Sequence, residues 1–189
     1  MAALRFLGID PGLANLGWAV LEVSDRACFR AVGTLETEKI TRKGTVRAAA
    51  DNTRRTMILA EAVGAILLEW EISLICGEEL SFMRNASAAA KNAMSWAAVV
   101  AVAAVGQVGV IEISPKDLQA AIVGLAGRAK VPVQRAMETR FPELSALWPL
   151  GPRGGGALVQ HASDASAAAY ACLSSNEARA AMRAAGVRW

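Results

Sequence analysis

The sequence predicts an α/β fold in which one mixed five-stranded sheet carries helices on both faces. Three apolar segments near the start are separated by short turns, and two later apolar segments alternate with helical patterns. A meander followed by alternating strands and helices is typical of such a sheet. The five predicted strands are residues 3–9, 16–23, 28–37, 72–80 and 108–114. The chain has 189 residues, 54% of them apolar, and we expect residues 1–189 to form one domain with a sizeable core.

The predicted helices are of two kinds. Residues 45–70 have apolar side chains at near-helical spacing, with Arg47, Arg54 and Arg55 between them, which indicates a long amphipathic helix. Residues 85–105 are apolar on more faces than one sheet can cover. Shorter helical patterns follow at 115–123, 131–141, 159–173 and 176–186.

One segment has the length of a membrane span, namely residues 92–111. Gly106, Gln107 and Gly109 divide it into a helix and a short β-branched strand, so we interpret it as a buried helix that leads into a buried strand. No membrane is expected.

The chain's start and its cysteines favour the cytoplasm. The first residues, MAALRFLGIDPG, hold an acid where a signal peptide would be apolar. Cys28, Cys76 and Cys172 are far apart and in no metal-ligand spacing, so we expect reduced core thiols. A net charge of +3 and a pI near 9.0 permit a polyanionic partner without requiring one.

Acidic residues stand where predicted strands end. Asp10 follows the first strand and precedes Pro11 and Gly12; it either accepts the amides of its own turn or is the first ligand of a site. The fourth strand ends in Glu78 and Glu79. These acids could meet at one edge of the sheet, and carboxylate oxygens suit magnesium.

A C-terminal helix adds two further candidates. His161, the single histidine, lies three residues before Asp164, so the two share one helical face. Taken alone, His161 is as consistent with an ordinary surface or core histidine as with a ligand. Together with the strand-end acids it predicts a site for two divalent cations, which can clamp the attacking and leaving oxygens of a phosphodiester.

Four motifs in order resemble the RuvC-type Holliday junction resolvases of the ribonuclease H-like superfamily. The matching segments are LGIDPG at 7–12, ICGEELSFMRNASAAAK at 75–91, SPKDLQAAIVGLAGRAKVPVQ at 114–134 and HASDASAAAYA at 161–171. The resemblance implies a ribonuclease H-like fold and a metal-dependent endonuclease that resolves four-way DNA junctions by paired, symmetric nicks.

The resemblance also assigns metal ligands. Asp10 becomes the ligand that bridges two Mg²⁺ ions, for which Mn²⁺ could substitute, and Asp164 completes the carboxylates. Between them comes Glu78, or Glu79 if the alignment is anchored on Phe82. His161 stands where some members carry Asp, and a neutral imidazole can still bind the second ion.

Five residues are candidates for contacts with DNA, and two of them match DNA-contacting positions of the family. Lys116 and Lys130 correspond to contacts with phosphate or the cleaved strand, although solvated loop lysines are the plain alternative. Arg84 and Asn85 could hold backbone phosphates, and Phe82 or Met83 could stack on unpaired bases at the crossover.

The family's dimer uses the helix equivalent to 85–105, so the resemblance implies a homodimer, and it leaves open whether a branch-migration helicase is a further partner. The alternatives are another ribonuclease H-like nuclease that cleaves RNA–DNA hybrids or branched DNA, and a catalytically silent junction-binding protein. A sugar-kinase-like or actin-like phosphotransferase also begins with a strand-end acid, but it needs two domains.

Overall fold

The computed structural model describes residues 3–40, 46–80, 85–126, 132–149 and 156–187. Within them, five strands form one sheet: β1 (Leu4–Asp10), β2 (Asn15–Val23), β3 (Ala27–Glu36), β4 (Leu74–Glu78) and β5 (Gly109–Ile113). The helices of the described segments are α1 (Ala48–Glu69), α2 (Ala86–Val105), α3 (Pro115–Ala126), α4 (Val133–Arg140), α5 (Leu144–Leu147), α6 (Gly156–Cys172) and α7 (Asn176–Ala184).

The sheet is mixed, as the sequence predicts, with the strand order β3-β2-β1-β4-β5. The first three strands form an antiparallel meander, whereas β4 and β5 run parallel to β1. The carboxyl ends of β1, β4 and β5 therefore meet at one edge, where the side chains that follow these strands come together.

Helices cover both faces of the sheet, and two hydrophobic cores result. Alternate residues of β1 point to opposite faces. Leu7 and Ile9 pack with residues of α1 and α2, while Phe6 packs with residues of α3 to α7. The two cores explain why strands of this chain read as continuous apolar runs.

The helix α6 lies unusually close to the centre of the sheet. A Cβ atom at Gly8 would overlap the backbone oxygen of Ala165 and would lie 2.8 Å from the Cβ of Ala169. The α6 residues that face the sheet are mostly alanine and serine. Small residues on both partners thus let helix and strand backbones approach each other closely.

The helix α2 is the described helix with the length and hydropathy of a membrane span, and 28% of that stretch is buried. It packs against α1 and β5. Val99 is fully buried in the core beside α1, which makes it a core residue of this chain.

Three features differ from the sequence-based expectations. The sequence predicts a buried helix for α2, but only 28% of its membrane-length stretch is buried, because α1 and β5 cover only part of its surface. The short helix α5 was not predicted, because four residues carry too little periodicity. The structure pairs Cys76 of β4 with Cys172 of α6 as a disulfide, with Cα atoms 6.1 Å apart, so the expectation of three reduced thiols is wrong for this pair. A separation of 96 residues gives no signal for such a pairing. Cys28 is the free cysteine.

We expect Gly8→Ala to destabilise the fold, because the added methyl group collides with the α6 backbone. Overpacking of this kind costs about 1–3 kcal/mol. Gly64→Ala is the matched control: it adds the same methyl group within α1, where the nearest atom is a Val102 methyl carbon at 3.7 Å. The control should be neutral or stabilising by up to about 1 kcal/mol, since glycine disfavours helices. Urea unfolding of both variants checks this, and equal stabilities would contradict the close approach.

Candidate metal and DNA site

Asp10 and Glu78 end adjacent parallel strands. The register of β1 and β4 pairs Ile9 with Gly77, so Asp10 and Glu78 come next on their strands. Neighbouring strands lie about 4.8 Å apart. By alternation from Phe6 and Cys76, which belong to the same core, both carboxylates project on the face that α6 covers.

Glu79 lies one residue further and projects to the other side of the strand. It is exposed, and its backbone N–H donates to the carbonyl of Ile113 at 2.9 Å. Of the two candidate acids, the structure brings Glu78 to the face shared with Asp10, and Glu79 away from it.

The helix α6 brings His161 to Asp10. In the antiparallel pair of β1 and β2, Gly17 lies opposite Asp10, and a Cβ atom at Gly17 would overlap the backbone oxygen of His161. The helix therefore crosses the sheet directly above this strand end. As a result, Nδ1 of His161 lies 2.6 Å from Oδ2 of Asp10. Asp164 follows one helical turn later.

The shifted pKa values of Glu78, His161 and Asp164 indicate that these groups are close enough to Asp10 for its charge to act on them. Burial, and then the charge of Asp10, raise the pKa of Asp164 to about 6. The same two causes raise the pKa of Glu78 above its ordinary value. The hydrogen bond to Asp10 raises the pKa of His161, so the imidazolium is favoured here. Three acids thus crowd one position, with one imidazole to compensate them.

This donor set fits a divalent cation. In the described part of the chain, no group of three or more His, Cys, Asp or Glu side chains stands close enough together to hold a metal ion as it is. Carboxylates that disfavour one another's ionisation are nevertheless the groups that a hard cation stabilises, with water completing its coordination. Asp10, Glu78, His161 and Asp164 are the residues available to hold it.

Two predicted DNA-contacting residues fall within the described segments. Asn85 is the N-cap of α2, and its Oδ1 accepts hydrogen bonds from the backbone amides of Ser87 at 3.0 Å and Ala88 at 3.2 Å. A phosphate contact would therefore use its Nδ2. Lys116 is exposed on α3, just beyond the carboxyl end of β5. Phe82, Arg84 and Lys130 lie outside the described residues, as does Met83.

Sequence reasoning missed the residues that position the site. Gly17 admits α6 above Asp10, as described above. Gly77, next to Glu78, leaves room for the indole ring of Trp96, whose Nε1 donates to Glu112 at 2.6 Å. Glycines inside predicted strands were the available signal, because they often mark a close approach.

The chain is similar to known proteins across most of its length. The model of the family described as "Crossover junction endodeoxyribonuclease RuvC" matches residues 6–148. A curated protein of that name from Parvibaculum lavamentivorans is 27% identical over 187 residues, covering 98% of this chain and 95% of the relative. Another, from Thermomicrobium roseum, is 27% identical over 127 residues, covering 67% and 72%.

The solved structure "T. thermophilus RuvC in complex with Holliday junction substrate" superposes with a TM-score of 0.68 and 23% identity, covering 89% of this chain and 92% of that one. This likeness confirms the predicted ribonuclease H-like α/β fold. The family match ends before α6, so the positions of His161 and Asp164 rest on the geometry given above.

The raised pKa of Asp164 predicts a pH dependence of stability in the metal-free protein. The folded chain binds this proton more tightly than the unfolded chain, whose pKa is 3.8, so the free energy of unfolding falls as pH rises from about 4 to about 6. Asp164→Asn removes the buried charge. We expect the variant to be more stable than wild type at about pH 7.5, by about 1 kcal/mol after solvent screening, and equal to it at about pH 3.5.

Urea unfolding in EDTA at both pH values measures this difference. Glu61→Gln, which removes an exposed acid from α1, is the control and should show no gain at the higher pH. A variant of Asp164 that is no more stable than wild type at either pH would contradict the crowding of charge.

Proposed function

Because the chain belongs to the RuvC family of crossover junction endodeoxyribonucleases, we propose that it resolves four-way DNA junctions by metal-dependent phosphodiester hydrolysis with paired, symmetric nicks. Family membership confirms the resemblance found in the sequence and the class of enzyme. The observation that supports the mechanism is the convergence of Asp10, Glu78, His161 and Asp164 at one strand edge.

The proposed cofactor is two Mg²⁺ ions per site, with Mn²⁺ as a substitute. Such ions, when bound, supply Lewis-acid stabilisation for the attacking and leaving oxygens of an in-line displacement. Asp10 is the proposed shared ligand, because it lies between Glu78 on the adjacent strand and His161 on α6. Asp164 is the proposed fourth ligand.

His161 has two proposed roles. Its hydrogen bond with Asp10 fixes the orientation of the carboxylate and of the ring. As a ligand it must be neutral, whereas the carboxylate beside it favours the protonated ring. A bound cation reverses that preference, because it repels the ring proton.

Two of the proposed DNA contacts, Lys116 and Asn85, lie around this edge of the sheet. Lys116, exposed at the start of α3, is the proposed contact for a phosphate beyond the end of β5. Asn85 stands at the start of α2, and Arg84, Lys130 and Phe82 complete the proposed set from the resemblance alone. Cations and amides that hold phosphates orient a nucleic acid without reading its sequence.

Single-domain organisation over residues 1–189, a cytoplasmic location and a branch-migration helicase partner are also part of the proposal. They rest on family membership and on the sequence, but the disulfide between Cys76 and Cys172 removes the cysteines from the argument for the cytoplasm, and no membrane is invoked.

A homodimer through α2 is proposed because this helix leaves one side open. Apart from Ser87 and Lys91, its exposed positions are apolar and are spaced mostly by three or four residues: Ala86, Ala90, Ala93, Ala97, Val100, Ala101, Ala104 and Val105. A stripe of small apolar residues on a helix suits close packing against a second copy. A symmetric dimer would present two active sites to the nearly two-fold junction.

The decisive experiment is cleavage of a synthetic four-way junction with and without Mg²⁺. We expect the wild type to nick opposing strands only with the metal. Asp10→Asn keeps the shape of the side chain but removes charge from the proposed shared ligand, so cleavage should fall by at least about 10²-fold, the usual loss for a central catalytic group. Junction binding, measured by gel shift, should persist.

The same assay separates the alternatives. An RNA–DNA hybrid cleaved faster than the junction would indicate the other nuclease activity, and binding without any cleavage would indicate a silent junction-binding protein. An Asp10→Asn enzyme that cleaves at the wild-type rate would refute the metal site.

The dimer has its own test. Light scattering at micromolar concentration should give the wild type twice the chain mass of 19.8 kDa. Val100→Glu, at a side chain 39% exposed on α2, should give monomers, since burying an unpaired charge is costly. Val123→Glu, at a valine 43% exposed on α3, is the matched control and should remain dimeric. A monomeric wild type would contradict the proposal.

A further inference from the structure

Asp10, Glu78 and Asp164 form an acid cluster, and a cleft of about 500 Å³ lies beside it. His161 lines this cleft. Its walls come from the turn after β1, the connection between β3 and α1, and the first half of α2. The charged side chains among its lining residues are Lys39, Arg55 and Lys91, with no carboxylate among them. Positive charge in the cleft thus adjoins negative charge at Asp10, with His161 between the two.

Arg55 is the unusual member of this group, because it is a buried cation at 5% exposure. Its Nε donates to Oγ1 of Thr37 at 2.8 Å, and its Nη2 donates to the Thr37 carbonyl at 3.2 Å. Within the described part of the chain it forms no ion pair. Asp51, one helical turn earlier on α1, has Oδ1 engaged by Arg54 at 2.8 Å, and the charge of Arg55 contributes to the lowered pKa of this carboxyl without a direct ion pair. A buried guanidinium without a direct ion pair is costly, and an anion in the cleft would relieve that cost.

Two exposed lysines extend the positive charge toward solvent. Lys39 belongs to the segment after β3, and Lys91 to the second turn of α2. The start of α2 also faces the cleft through Asn85 and Ser87, and the amino end of a helix favours anions. Cations from three separate elements therefore converge on one space.

We propose that this cleft binds a backbone phosphate of the DNA strand that is cleaved. This phosphate would be one or more nucleotides away from the scissile phosphate, which the proposed function places at Asp10. The inference rests on the proposed function and deepens it, because it states where the strand runs after leaving the acid cluster. Arg55 supplies a preorganised guanidinium, which matches phosphate geometry. Lys39 and Lys91 supply mobile charges that close on the phosphate from the rim.

The test is junction binding in EDTA, measured over a range of salt concentrations. Each phosphate contact adds about 0.9 to the steepness of log K against log salt for duplex DNA. We expect the double variant Lys39→Ala/Lys91→Ala to bind more weakly and to flatten this slope by about 1. The matched control is the double variant Arg26→Ala/Arg179→Ala, which removes two exposed cations from the β2–β3 turn and from α7 and should leave the slope near that of wild type.

Arg55→Lys adds a second measurement. The lysine keeps the positive charge but loses the two parallel N–H donors of the guanidinium group. The variant should therefore bind the junction more weakly at low salt, with a slope of log K against log salt near that of wild type. Its thermal unfolding is measured alongside, because Arg55 also holds Thr37. The lysine variants keep the proposal testable if this protein fails to fold.

The outcomes separate this site from the proposed activity. A double lysine variant that matches the double arginine control in affinity and slope overturns the cleft, even if the wild type cleaves junctions. If the double lysine variant binds more weakly but keeps the wild-type slope, the cleft is also overturned, since its lysines then made no phosphate contact. A flattened slope in a protein that never cleaves a junction with Mg²⁺ supports the cleft and refutes the activity.

Discussion

The backbone of α6 lies directly on the sheet, and the arrangement of the site depends on this contact. It is possible only because Gly8 and Gly17 lack side chains at the two positions where helix and strands meet. The approach fixes both the height of the helix above β1 and the position of its turns along the strand. His161 consequently reaches Asp10, although the two residues are 151 positions apart in the chain. The disulfide between Cys76 and Cys172 joins the same helix to β4.

The charges around this contact are arranged in two opposed zones. The acid cluster is crowded enough that Asp164 and Glu78 resist ionisation, whereas the adjoining cleft holds the buried guanidinium of Arg55. Both zones are unfavourable in the free protein. The acid cluster keeps like charges close together, and the cleft holds a buried cation that has no direct ion pair within the described residues. Under the two proposals, a phosphodiester strand with bound divalent cations would compensate both zones at once: the cations would offset the acids, and a neighbouring phosphate would offset the arginine. Substrate binding would then recover stability that the free protein gives up.

The class of fold and the candidate metal ligands could be predicted because both depend on patterns among residues that are close together in the sequence. Short apolar segments separated by turns or helical patterns predicted the sheet, and an acid at the end of a strand is visible at Asp10. The choice between Glu78 and Glu79 stayed open in the sequence, because only the shared core of Phe6 and Cys76 shows which side of the sheet α6 covers. The cleft around Arg55 could not be predicted, because it joins three elements whose packing no local pattern encodes. The cysteine pair was missed for the same reason.

The helix α2 takes part in two different surfaces. Its first turns line the cleft, while its open stripe continues to the other end, where Val105 is 89% exposed. A helix of 20 residues is about 30 Å long and bends little. If two copies join along this stripe, a rigid helix rather than flexible loops sets the distance between their two catalytic centres. Such a dimer would cleave a branched DNA only when the two scissile phosphates at the crossover are separated by that fixed distance.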